Sequence, residues 1–204
     1  MTKTIIGIFI TAVTALCFTA GCGNHHFVRQ KFYVQPSRTV SAERQASEDI
    51  LGVNQFSIDS AFRTRSVVYK RGAHEYESSY YYEYLTPPAE MITEQTRNWL
   101  TESGIFATVT RPNSAVRPTL TLEGEIKSLY ADTSVTGQPK AVMELAVYML
   151  NKENREIICT NRYMETEPMA SKSPDDYFEA LQTVLQRILI RCETDLAQCI
   201  EKNK

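Results

Sequence analysis

The chain has 204 residues, of which 43% are hydrophobic and 23% are charged, and its formal net charge is −2. This composition is typical of a folded globular protein and excludes an intrinsically disordered chain. The near-neutral charge gives no sign of the strongly basic face that nucleic-acid binding requires.

The first 21 residues have the features of a bacterial signal peptide. Lys3 precedes an apolar run, Ile5–Phe18, which is shorter than the roughly 20 residues that a membrane-spanning helix needs. The run leads into Thr19-Ala20-Gly21-Cys22, which resembles the lipobox at which bacterial lipoproteins are acylated and then cleaved. We therefore expect residues 1–21 to be removed and Cys22 to carry the lipid. The alternative is ordinary secretion with a free thiol at Cys22.

An acylated Cys22 determines where the mature protein is held. The lipobox resemblance implies three fatty-acyl chains such as palmitate, and several chains anchor a protein far more firmly than a single reversible one. Gly23 stands where an aspartate retains many lipoproteins in the inner membrane of Gram-negative bacteria, so we expect the outer membrane, facing the periplasm. Residues 22–31 then form a lipidated tether of at most about 30 Å. Residues 32–200 form one domain.

The first half of that domain is predicted to contain five strands and one helix. Short runs of β-branched and aromatic residues between turn residues favour strands. The predicted strands are Phe32–Val34, Ile50–Ile58, Arg65–Lys70, Glu75–Leu85 and Ile105–Thr110. Pro87-Pro88 predicts the start of a helix over Ala89–Ser103, which Gly104 ends. The inner face of this helix is Ile92, Thr96, Trp99 and Leu100.

Three further strands form the most regular part of the sequence. Thr119–Leu129 alternates apolar residues on one face. Ala141–Leu150 is apolar on both faces except at Glu144, as expected for a central, covered strand. The turn at 151–154 predicts a hairpin with Glu156–Glu165.

The last predicted element is a helix from Ser173 to about Ile200. Ser173 is a suitable capping residue, and Pro174 and two acidic residues follow it in the first turn. The order of elements, together with the antiparallel pair that the hairpin requires, predicts a single α/β domain with a mixed β-sheet and packed helices.

The strand Glu75–Leu85 contains a candidate partner-docking surface. On regular strand geometry four tyrosines share one face, namely Tyr76, Tyr80, Tyr82 and Tyr84. Tyrosine offers a large contact area with a polar tip and is enriched at interfaces. The alternative is that these rings pack in the core beneath the first helix.

Three cysteines, Cys159, Cys192 and Cys199, remain in the predicted domain, in what we expect to be an oxidising compartment. Cys192 and Cys199 lie about 10 Å apart along the predicted helix, which is too far for a disulfide. Cys159 can pair with either of them if the helix packs on its strand. Otherwise all three are small buried apolar residues, and the sequence does not decide between these arrangements.

Catalytic chemistry is scarce in the sequence. His25 and His26 lie on the tether, where two adjacent side chains without a third ligand make a poor metal site. His74 lies at a predicted strand turn with no nucleophile motif near it, and no glycine-rich phosphate loop or Cys-x-x-Cys pair occurs. We expect no enzyme and no catalytic, cofactor or metal site. A periplasmic hydrolase that uses His74 is the alternative with the least support.

Several short motifs follow one another in a familiar order. These are Arg65-Ser66-Val67-Val68-Tyr69-Lys70, the tyrosine-rich strand, Pro87-Pro88-Ala89-Glu90-Met91-Ile92-Thr93-Glu94, Leu100, and Ser103-Gly104-Ile105-Phe106. Their order resembles the ABC-type transport auxiliary lipoprotein family, which is paraquat-inducible protein C-like, over roughly Phe32 to Leu196. One departure is Tyr84-Leu85, which stands where the family has an Arg-Trp pair.

The resemblance implies a non-enzymatic lipoprotein of an ABC-type intermembrane lipid transport system that contains a mammalian-cell-entry protein. It also implies an anticodon-binding-like fold, similar to the N-terminal domain of the Tol–Pal translocation protein. We accordingly expect an adaptor that docks the periplasmic assembly at the outer membrane, in contact with the mammalian-cell-entry protein and the permease–ATPase complex, and able to form a homo-oligomer. The alternative is a stand-alone lipoprotein that binds a lipid or glycan without a transporter.

Overall fold

The computed structural model describes residues 28–38 and 46–203. The predicted signal peptide, Cys22, His25 and His26 lie outside the described residues. No helix in these two ranges is long and apolar enough to span a membrane.

Nine strands, two α-helices and one turn of 3-10 helix at Ser60–Phe62 make up the described fold. The strands are β1 (Gln30–Phe32), β2 (Ser47–Val53), β3 (Ser57–Ile58), β4 (Ser66–Lys70), β5 (Tyr76–Tyr84), β6 (Phe106–Thr110), β7 (Leu120–Asp132), β8 (Lys140–Asn151) and β9 (Ile157–Pro168). The helices are α1 (Pro88–Ser103) and α2 (Pro174–Lys202). The prediction of a single α/β domain with a mixed sheet is confirmed.

Strand β7 is the centre of the sheet. Along one of its edges β2, β3 and β4 pair with it in parallel, one after another, and β8 pairs antiparallel along its other edge. Beyond β2 lies β6, beyond β4 lie β5 and then β1, and β9 pairs with β8 in the predicted hairpin. Both β7 and β5 therefore have parallel and antiparallel neighbours, since β5 pairs in parallel with β1 and antiparallel with β4.

The predicted strand Ile50–Ile58 is divided into β2 and β3, which corrects the sequence-based expectation. Between them the Phe56 amide donates to Thr93 Oγ1 on α1 at 3.0 Å, so the backbone turns out of the sheet and towards the helix. The first strand is also shifted, because β1 covers Gln30–Phe32 rather than Phe32–Val34.

Both helices begin and end as their sequences predict. Helix α1 begins at Pro88 and ends before Gly104, whose φ of 67° lies in the left-handed region that glycine adopts without strain. Helix α2 begins after Ser173, whose Oγ accepts a hydrogen bond from the Asp176 amide at 3.1 Å. The fully buried side chains of α2 include Val184, Ile188, Cys192 and Leu196.

Helix α2 covers the face of the sheet that β9 and β8 present to it. Tyr163 on β9 donates through its hydroxyl to Asp195 of α2 at 2.9 Å, and its cross-strand neighbour Leu145 is fully buried. Glu144, the polar exception in β8, lies on the opposite face and accepts a hydrogen bond from Arg162. Strand β8 is thus buried on both faces, and its one acidic residue is paired with a cation.

A disulfide between Cys159 on β9 and Cys199 near the end of α2 fastens the helix to the sheet. This observation decides which of the two helix cysteines pairs with Cys159. Cys192 is a buried free thiol, and burial raises its pKa to about 12. Because thiol–disulfide exchange requires the thiolate, the Cys192 thiol is a poor nucleophile.

We expect the double substitution C159A/C199A to lower the free energy of unfolding by about 4 kcal/mol, because the bond closes a loop of 40 residues. Urea unfolding with and without a thiol reductant measures the effect. Reductant should destabilise the wild-type protein by a similar amount and leave the variant unchanged. An equal response of both proteins to reductant would contradict this assignment.

Gly124 on β7 lies directly beneath the ring of Phe56. A Cβ at this position would stand 2.6 Å from the ring carbons of Phe56, which is closer than two carbon atoms approach without strain. Gly124 therefore allows the segment between β2 and β3 to place an aromatic ring against the sheet.

The substitution Gly124→Ala should lower the free energy of unfolding by about 1–3 kcal/mol, because it overpacks this contact. Gly72→Ala is the matched control, since its added Cβ would meet Glu75 at an ordinary 3.6 Å. Chemical denaturation of both variants is the measurement. Adding Phe56→Leu to Gly124→Ala should recover part of the loss, and a greater loss in the double variant would argue against a clash with this ring.

Candidate functional site

The tyrosine-rich strand β5 does not present its four predicted tyrosines on one face, which corrects the sequence-based expectation. Opposite β4, Ser78 pairs with Val68, but Glu83 already pairs with Ser66. The extra β5 residues form a bulge in which Ser79 Oγ accepts hydrogen bonds from the amides of Tyr81 and Tyr82. Because a bulge interrupts the alternation of side chains, the tyrosines before and after it point to opposite faces.

Tyr84 lies after the bulge and belongs to the core. Its side chain is 2% exposed, and its hydroxyl lies 2.7 Å from that of Tyr177 on α2. Burial, reinforced by Tyr177, raises the pKa of Tyr84 well above its ordinary value, and burial also raises the pKa of Tyr177. Both phenols therefore remain neutral, and Tyr84 cannot contact a partner without unpacking α2.

Tyr82 and Tyr76 lie on opposite faces of the sheet and are less buried than Tyr84. Tyr82 is half-buried and packs edge-on against Phe32 of β1. Tyr76 is 48% exposed and rests edge-on against Tyr130 of β7 and Phe62 of the 3-10 helix. The alternative that these tyrosines pack in the core beneath the first helix is wrong about the helix, because the buried Tyr84 packs against Tyr177 and Phe178 of α2. It does not hold for the exposed Tyr76.

Tyr80 and Tyr81 lie in the bulge of β5, the strand that pairs with β1. Tyr80 is 61% exposed and Tyr81 is 47% exposed, and their rings meet edge-to-face with centroids 5.3 Å apart. The Arg29 guanidinium lies over the Tyr80 ring at 5.2 Å and also pairs with Glu83. Of the four predicted tyrosines, Tyr80 is the most exposed.

The segment that follows β1 is fixed to both helices. Arg38 donates to both carboxylate oxygens of Glu193 on α2 at 2.9 and 3.0 Å, and to the carbonyl of Glu102 on α1 at 3.0 Å. Trp99 donates its indole N–H to Glu193 at 2.8 Å, and its ring lies beneath the Arg38 guanidinium. We call Arg38, Trp99 and Glu193 the Arg38 clasp.

Sequence reasoning did not identify the Arg38 clasp. Arg38 and Glu193 are 155 residues apart, so no local spacing connects them, and Arg38 lies between two predicted strands, Phe32–Val34 and Ile50–Ile58. The one available signal was Glu193 itself, an acidic residue directly after Cys192 on the apolar face of the predicted helix.

A groove of about 450 Å³ opens beside the first half of α1, lined by Tyr33, Glu90, Glu94, Arg97 and Arg111 among others. Glu94 accepts hydrogen bonds from both Arg97 and Arg111. Because these charges neutralise one another, the groove shows no strong preference for an ionic ligand, and its side chains do not pair a nucleophile with a base.

Other chemistry-bearing residues are dispersed in the described ranges. His74 is exposed in the turn between β4 and β5. No cluster of three or more His, Cys, Asp or Glu residues in 28–38 and 46–203 could hold a metal ion. The features that stand out in the described ranges are the exposed tyrosines of the β5 bulge and the Arg38 clasp.

A family-wide sequence comparison matches residues 33–190 to the ABC-type transport auxiliary lipoprotein component. A solved Xanthomonas campestris protein of the DUF330 family aligns with a TM-score of 0.77 at 14% identity, covering 86% of this chain and 99% of that one. The Chlamydia trachomatis hypothetical protein CT253 aligns with a TM-score of 0.51 at 12% identity, and the alignment covers 73% of this chain and 98% of that one. At these identities the structural likeness establishes the fold. No curated protein matches the sequence.

The tyrosine pair Tyr84–Tyr177 should make the protein sensitive to alkali. Because folding raises both pKa values above the unfolded value of about 10, the stability they contribute is complete below pH 10 and is lost as the pH rises above it. Above pH 10, the free energy of unfolding of the wild type should fall with each pH unit by up to about 2.7 kcal/mol more than that of the variant Y84F/Y177F.

Urea unfolding between pH 8 and pH 11 measures this difference. The single variant Y84F is the control, since at pH 8 it leaves the Tyr177 hydroxyl buried and unpaired and should cost about 1–3 kcal/mol. Parallel pH profiles for the wild type and the double variant would show that these phenols do not titrate with unfolding.

Proposed function

This chain belongs to the ABC-type transport auxiliary lipoprotein component family, and we propose that it serves a transporter that contains a mammalian-cell-entry protein. In this role it is a non-enzymatic adaptor that docks the periplasmic assembly at the outer membrane. The cargo is lipid moved between the two membranes, and the ATPase of the complex supplies the energy.

The observation that carries the proposal is the extent of the family match. Residues 33–190 contain most of α2 and every described strand of the sheet except β1. The sequence before the match supplies the anchor, since Cys22 in its lipobox-like context stands 11 residues upstream of Tyr33. A lipid anchor and a transport-auxiliary domain in one chain support an adaptor fixed to a bilayer.

The described domain suits an adaptor because three contacts fasten α2 to the rest of the fold. The Cys159–Cys199 disulfide, the Arg38 clasp and the buried Tyr84–Tyr177 pair each connect α2 to a different part of the chain. A binding partner therefore meets a preformed surface and bears little of the cost of ordering it. Tyr76, which is 48% exposed, is the member of the predicted tyrosine set that such a surface can include.

Fractionation of the membranes tests the anchor. We expect the wild-type protein in the outer-membrane fraction, with a triacylated N-terminal Cys22 by mass spectrometry, and the variant Cys22→Ala absent from that fraction. Cys17→Ala is the matched control, because this cysteine lies inside the predicted signal peptide and should leave the mature protein unchanged. A mature, soluble protein with an unmodified thiol at Cys22 would overturn the proposal.

Cross-linking followed by purification of the acylated protein from membranes tests the partner. Recovery of a mammalian-cell-entry protein with its permease and ATPase is the expected result. Recovery of the acylated protein without any transport component would instead favour a stand-alone lipoprotein that binds a lipid or glycan.

A further inference from the structure

We propose that the β1–β5 edge, formed by Val28–Lys31 with Tyr80 and Tyr81, is a membrane-contact surface that lies against anionic phospholipid headgroups. The inference rests on the proposed acylation of Cys22 and adds an orientation to it. The anchor holds the domain near the bilayer, and this edge determines which side of the domain faces it.

Chain connectivity places this edge nearest to the lipid. Val28 is the first described residue and follows Cys22 by six positions, so an extended chain separates the two by at most about 21 Å. Strand β1 runs parallel to β5 with Gln30 opposite Tyr82. Residues preceding Gln30 therefore lie towards Tyr80 and Tyr81, and the Arg29 contact with the Tyr80 ring agrees with this direction.

The edge exposes side chains of the kind found at a membrane–water interface. Val28 is 82% exposed, Tyr80 is 61% exposed and Tyr81 is 47% exposed. Tyrosine has an apolar ring and a polar tip, and it is enriched where membrane proteins meet the headgroups. Two adjacent exposed rings in a bulge can therefore enter the headgroup region without disturbing the core of the domain.

The charge of the edge favours an anionic surface. Lys31 on β1 and Arg29, which directly precedes β1, are both exposed. Glu83, the acidic residue opposite Lys31, is only 9% exposed and accepts a hydrogen bond from Arg29. Arg29 is half-exposed but its charge is balanced by Glu83, so Lys31 leaves the edge with a net charge of +1. Each unbalanced basic residue near an anionic bilayer favours contact by about fivefold.

Hydroxyl-radical footprinting of the acylated full-length mature protein tests this orientation. The protein is compared in detergent micelles, in phosphatidylcholine vesicles and in vesicles that also contain phosphatidylglycerol. We expect Tyr80 and Tyr81 to be oxidised several-fold more slowly on the anionic vesicles than in detergent. Met164 is the internal control, because it is 61% exposed on β9 at the far side of the sheet and should react equally in all three samples.

The variant R29Q/K31Q should lose most of this protection while remaining bound to the vesicles. The matched control K152Q/K202Q removes two positive charges at exposed positions beside β9, because Lys152 lies in the β8–β9 turn and Lys202 follows Cys199, which is bonded to Cys159. It should retain the protection. Because both variants keep Cys22, flotation of the vesicles reports on the anchor separately from footprinting.

Three results would overturn the inference. Vesicle-bound protein with unprotected tyrosines leaves the anchor intact and shows that the edge does not face the bilayer. Equal protection in detergent and on vesicles shows that the anionic bilayer is not what covers the edge. A protein that does not float with vesicles and carries no lipid contradicts the proposed function as well.

Discussion

The fold depends on one constraint, which is that the backbone of β7 must be hydrogen-bonded to neighbouring strands along both edges over 13 residues. Strand β8 occupies one edge without a break in direction, but the other edge is shared by β2, β3 and β4, which act as one discontinuous strand. Leu51 and Ser57 are six residues apart, but their partners on β7 are only five apart. Ile58 and Tyr69 are eleven residues apart, and their partners on β7 are again five apart. The surplus residues form the Phe56 excursion and the 3-10 helix.

This arrangement explains which parts of the fold could be predicted from the sequence. The helices, β4, β7 and the β8–β9 hairpin carry local signals, namely proline starts, a glycine cap and alternation of apolar residues. The break between β2 and β3 involves a single surplus residue, and alternation within a short apolar run does not reveal it. The same limit applies to β5, where regular alternation predicted one tyrosine face and a bulge at Ser79 separates Tyr76 from Tyr84.

The features that define the candidate site depend on contacts between distant parts of the chain. Pairing of Cys159 with Cys199 rather than Cys192 follows from the direction in which α2 crosses β9, and the helix periodicity could not give that direction. Arg38 meets Glu193 because the N-terminal segment runs between the two helices. The family was easier to predict than the geometry, because the order of short motifs indicated the family, whereas the burial of a single residue such as Tyr84 depends on packing.

The Arg38 clasp also determines how the domain responds to mechanical tension. A pull on the chain before Val28 acts first on β1, which has only three residues paired with β5. If β1 is stripped away, the load passes to buried Val34 and then to Arg38, whose guanidinium is held by Glu193 and by the backbone of Glu102. The β1–β5 pairing and the Arg38 clasp bear the load one after the other. The short strand β1 can therefore detach under tension while the rest of the sheet stays folded behind the clasp.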